Sequence, residues 1–68
     1  MSEAQEIKRA ILTEKFDRAE KLLRAARETG QISPMMAAQL QTYIAMARWE
    51  TTPDKEATSR LKAIVSRL

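Results

Sequence analysis

Residues 30–47 read GQISPMMAAQLQTYIAMA, and none of them carries a charge. The 12 basic and 9 acidic residues of the chain all fall outside this block. Inside it lie Met35, Met36, Leu40, Tyr43, Ile44 and Met46, and Trp49 follows just beyond. A surface helix is normally apolar along one stripe, whereas a helix apolar around most of its circumference needs cover on more than one side. A chain of 68 residues has little else with which to supply that cover. The block therefore predicts an all-α fold whose central helix keeps a surplus of apolar surface for a partner, either a second copy or another protein.

Working outward, Ser33-Pro34 is a helix start, a hydroxyl cap followed by proline at the first helical position. Gly30, the only glycine, follows Thr29 where a left-handed C-terminal cap is needed. Upstream, residues 3–28 contain no Gly or Pro and are mostly strong helix formers. Ser2 and Gln5 supply a capping-box pattern. Ala4, Ile7, Ile11, Leu12, Phe16, Ala19, Leu23 and Ala26 trace one apolar stripe. Glu14–Arg18, Asp17–Lys21 and Glu20–Arg24 each set an acid one turn ahead of a base. One long helix over 3–28 is expected, folding back on a second over 34–49 as an antiparallel hairpin. Thr52-Pro53 repeats the start signal, with Asp54 and Glu56 where the helix dipole favours acids. Ala57, Leu61, Ile64 and Leu68 then give a shorter third helix over 53–68. The expected architecture is a single small helical domain over 1–68, an antiparallel hairpin plus a shorter third helix, associating as a helical homodimer.

Composition argues for that association. A chain of this size buries only about 60% of the surface its unfolded form exposes. With no Cys and no His, neither a disulfide nor a structural zinc site is expected to staple it. The net charge of +3 comes from mixed signs, the mark of a solvated surface more than of a nucleic-acid footprint. Residues 2–30 are charged throughout with no apolar signal core, and 30–47 is too short and too rich in Gln, Ser and Thr to span a bilayer, which takes about 20 residues. A soluble, cytoplasmic protein is the expectation. A helix pair followed by a third helix resembles one tetratricopeptide-type unit in outline, but that repeat's aromatic and small-residue signature is missing, and such arrays need about three units.

The inventory for chemistry is thin. Without His or Cys the usual base and thiol nucleophile are missing, the acids sit among bases on a solvated face, and one glycine makes no phosphate loop. No catalytic residue, cofactor or metal is expected. The order long helix, turn, second helix suggests a helix-turn-helix, yet the second helix has no base before Arg48 where a recognition helix presents polar and basic groups. The best basic surface would join Arg24 and Arg27 to Arg60, Lys62 and Arg67 if the third helix packed near the end of the first.

Protein binding fits the central helix better. Methionines suit adaptable contacts, and Tyr and Trp are enriched at hot spots. Met35, Met36, Leu40, Tyr43, Met46 and Trp49 form the candidate interface, with Arg24, Arg27, Arg48, Arg60 and Arg67 as an electrostatic rim. The plainer alternative is that they are the core of a three-helix bundle. On a helical wheel, however, Met36, Leu40, Tyr43 and Ala47 share one face while Met35, Ala38, Ala45, Met46 and Trp49 spread over the rest, more than a hairpin and a short helix can cover. Ala37, Ala38, Ala45 and Ala47 keep that helix slim and permit close approach. The functional expectation is a small interaction module (an adaptor, an inhibitor or a small chaperone) acting by occlusion. The alternative is a small basic nucleic-acid-binding regulator.

Overall fold

Two consecutive turns with the same hydrogen-bond pattern set the topology. The computed structural model describes residues 3–68; Ser2 and its capping role lie outside them. Among the described residues there are four helices and no strand: α1 Glu3–Leu12, α2 Phe16–Glu28, α3 Pro34–Arg48 and α4 Glu56–Val65.

The helix expected over 3–28 is thus two helices. At its break the Lys15 amide donates to the Ala10 carbonyl (2.8 Å) and the Glu14 amide to that of Ile11 (3.0 Å), with Glu14 at φ +59°. At the end of α2 the Gln31 amide donates to Ala26 (2.9 Å) and the Gly30 amide to Arg27 (3.3 Å), with Gly30 at φ +76°. Each turn is a left-handed cap closed by paired amide–carbonyl bonds. Each is also preceded by a threonine, Thr13 or Thr29, whose hydroxyl donates to the last-turn carbonyls. Glu14 does at the first turn what glycine does at the second. Geometry favours the break. An unbroken helix over 3–28 would be about 39 Å long at 1.5 Å per residue, against a longest molecular extent of 35 Å. Folding it lets Ile7, Ala10 and Ile11 of α1 and Ala19, Leu23 and Ala26 of α2 face one core, while Leu12, at the break, turns to solvent.

The four helices form a ring in which each packs on its two neighbours, and the diagonal pairs, α1 with α3 and α2 with α4, have no Cα atoms within 8 Å. Ile7, Ile11, Leu40, Ile44, Leu61 and Val65 fill the centre. Ile32 seals it from the turn between α2 and α3. Glu14, in the turn before α2, and the acids Asp17 and Glu20 of α2 do not serve the intrahelical pairs that their spacing suggests. Glu14 lies 3.4 Å from Lys62 and 3.8 Å from Lys55, while Asp17 and Glu20 both bind Arg48 at the far end of α3, which fixes α2 and α3 as antiparallel.

The last helix starts at Glu56, three residues later than expected. Thr52-Pro53 forms a turn closed by the Lys55 amide on the Thr52 carbonyl (3.3 Å), so Asp54 lies outside the first helical turn. Lys55 precedes the helix at φ +46° and offers no side-chain cap. The cap comes from Glu50, whose carboxylate accepts from the amides of Ala57 (3.0 Å) and Thr58 (3.3 Å) and from the Thr58 hydroxyl (3.2 Å).

Two left-handed positions give substitutions of opposite sign. A Cβ added at Gly30 would meet nothing within 4 Å, so Gly30→Ala carries only the conformational penalty, about 1 kcal/mol, and lowers the thermal midpoint by roughly 4–8 °C. Lys55→Gly relieves the same penalty and forfeits only an exposed 3.8 Å ion pair. It should raise the midpoint, and a thermal melt of the two variants beside the parent checks both signs.

Candidate protein-binding surface

The core claims one side of α3. Ala37, Leu40, Ile44 and Ala47, at steps of three and four, are buried, with Met36 and Tyr43 half-buried at their edge. Directly opposite on the helical wheel run Met35, Ala38, Thr42, Ala45 and Trp49, flanked by Gln39 and Met46, and all seven are exposed. Met35 and Trp49 keep 81% of their surface and Met46 55%. Ser33 starts this helix by accepting the Met36 amide (3.2 Å) ahead of Pro34. The face contains no charged group, and its one hydroxyl is already engaged, because Thr42 donates to the Ala38 carbonyl at 2.9 Å.

The candidate residues therefore divide. Met35, Met46 and Trp49 are on the outer face, Met36 and Tyr43 are on its shoulder, and Leu40 is not at the surface at all. Leu40 points along the inner stripe and is fully enclosed; its place in the expected interface is corrected to the core. On the α4 side, Tyr43, Met46, Glu50 and Arg60 are among the residues lining a groove of about 390 Å³. Arg60 lies against Tyr43 and hydrogen-bonds Glu56 (3.2 Å), and both, Tyr43 first, raise its pKa above the ordinary arginine value.

The basic rim does not form as one band. Arg48 is held between Glu20 (2.7 Å) and Asp17 (2.9 Å), and Arg60 lies 3.2 Å from Glu56. Arg24 and Arg27 line a groove between α2 and α3 with Ala37 and Gln41, and Arg67 is exposed beyond the end of α4. Because α2 and α4 sit across the diagonal of the ring, Arg24 and Arg27 are kept apart from Arg60 and Lys62, and Lys62 is drawn to Glu14. The joint basic surface is absent for that reason. Sequence reasoning missed Glu50 and Ile32; the acid falls just past the helix end, and the isoleucine is hidden in a turn. No cluster of three or more His, Cys, Asp or Glu side chains able to hold a metal occurs among the described residues, and none of their helices is long and apolar enough to cross a membrane. Comparison with protein-family models, curated proteins and solved structures finds no match.

Proposed function

We propose that this chain is a non-enzymatic, cytoplasmic protein-binding module that docks through the outer face of α3 and acts by covering a partner's apolar surface, as an adaptor, inhibitor or small chaperone does. The observation that carries the reading is the uncharged stripe from Met35 to Trp49, solvent-facing along the whole helix while the opposite stripe is buried. Burying it desolvates no ionised group, and the flexible Met side chains and the Trp ring offer the large apolar contacts on which binding hot spots are built. Arg24 and Arg27 beside it steer approach more than they add affinity.

Met46→Glu and Trp49→Ala test the assignment. Both sites are exposed, so each variant should keep the parent's helicity and stability to within about 0.5 kcal/mol. Immobilised parent chain should retain partners that the Met46→Glu chain loses, at least tenfold by quantity. Equal retention by both chains sinks the reading. Loss of helicity would instead place these residues in the core. In a parallel salt titration, random duplex DNA should bind weakly and lose affinity as salt rises, since Arg48, Lys55, Arg60 and Lys62 are already held by acids.

A further inference from the structure

Among proteins able to cover this face, the geometry points to a second copy of the same chain, packed α3 against α3 in antiparallel sense about a two-fold axis through Thr42. The inference rests on the docking face just described and commits it to one occupant. Three observations carry it.

The stripe reads the same in both directions by size. Met35 and Trp49 lie seven residues to either side of Thr42, and Ala38 and Ala45 lie four before and three after it. In an antiparallel pair centred on Thr42, Met35 of one copy meets Trp49 of the other at both ends of the seam. Ala38 meets Ala45 on the α2 side, Gln39 meets Met46 on the α4 side, and the two Thr42 residues meet at the axis. Large side chains oppose large ones at the ends, and between them small ones oppose small ones along the axis and the α2 side. Facing alanines allow helix axes to approach toward the low end of about 8–10 Å. A contact of this self-complementary kind is what a two-fold interface requires.

The second observation is electrostatic. The face is uncharged from end to end, and the one charge on the helix that carries it, Arg48, is already matched by Asp17 and Glu20. A partner surface of the same neutrality is needed, and this face itself provides one. Antiparallel packing also sets the C-terminal end of each α3 beside the N-terminal end of its mate, the favourable alignment of helix dipoles. Third, the central Thr42 has its hydroxyl bonded to the Ala38 carbonyl, so it presents a methyl group at the axis and leaves no unpaired donor when buried.

A seam one helix wide is expected to fall below the roughly 1,200 Å² of a standard interface, in the range of weak, transient contacts. Light scattering across a concentration series from about 1 μM to 1 mM should show the mass rising from the 7.8 kDa of one chain toward twice that value. Ala45→Glu should weaken this rise at least tenfold with helicity unchanged.

Register and sense are read by single cysteines introduced into a chain that has none. Under mild oxidation Thr42→Cys should cross-link with itself. Ala38→Cys mixed with Ala45→Cys should yield the mixed dimer at least tenfold faster than either variant alone, because residues four and three places from the axis are about 12 and 9 Å from their own mates. Faster self-linking of Ala38→Cys and of Ala45→Cys than of the mixture would mean a parallel pair and overturn the arrangement. A mass that stays at one chain through 1 mM would overturn the second copy as occupant. In that event, retention of partners that depends on Met46 would still stand for the wider docking assignment, so the two failures are distinct.

Discussion

Leu40→Ala is expected to remove about half of the stability of the fold. Leu40 is completely enclosed on the inner stripe of α3, among the six largest side chains of the core. Truncating a buried leucine costs about 2–5 kcal/mol, from the lost transfer of its methyl groups and from the cavity left behind. A domain of this size has roughly 3–10 kcal/mol in total, at 0.05–0.15 kcal/mol per residue. No disulfide adds to that. One substitution therefore removes a large share of the whole. Five residues earlier on the other side of the same helix, Met35→Ala should change stability by no more than about 0.5 kcal/mol, because Met35 makes little contact with the rest of the chain. Urea denaturation followed by far-UV circular dichroism measures both. Near-equal losses for the two variants would mean that α3 is buried on both sides in solution, which would refute the division into core and outer face.

That contrast also shows how far the fold could be read from the chain. The uncharged block announces a helix with more apolar surface than one core can use, but residues 34–47 have no charge to mark which side is outside. Nothing in the residue types alone separates Leu40 from Met46. What separates them is the ring of helices, in which α2 and α4 flank α3 and leave one side open. The turn after α2 was legible because glycine occupies its left-handed position, whereas the break between α1 and α2 was hidden because Glu14 occupies the equivalent one. Its local sequence, Thr13-Glu14-Lys15, reads as ordinary helix. Tertiary packing overrides that preference, since two short helices bury more than one long one can. The i,i+4 charge pattern misled for a related reason: on a solvated face such pairs are worth a few tenths of a kcal/mol, too little to keep Asp17, Glu20 and Glu14 from partners on α3 and α4.

The start of α4 exposes the same limit and yields the second large effect. Thr52-Pro53 has the residue types of a helix start, yet the groups that need a cap, the amides of Ala57 and Thr58, are served by Glu50 from beyond the end of α3. A capping side chain is worth about 0.5–2 kcal/mol, and hydrogen bonds to a charged acceptor are worth about 1.5–3. Thr58 is buried, so Glu50→Ala would also strand its hydroxyl. Together these give an expected loss of about 2–3 kcal/mol. Glu50→Gln, which keeps one acceptor oxygen, should lose less than half of that, and Thr52→Ala should lose almost nothing. Amide exchange should accelerate first at Ala57 and Thr58. Trp49, the single tryptophan, stands next to Glu50 at the end of the docking face, so its fluorescence should report the loosened loop before the core gives way. Unchanged exchange at Ala57 and Thr58 in Glu50→Ala would mean that the carboxylate does not hold this helix in solution. The orientation of Trp49 at the end of the face would then have to be set by α3 alone.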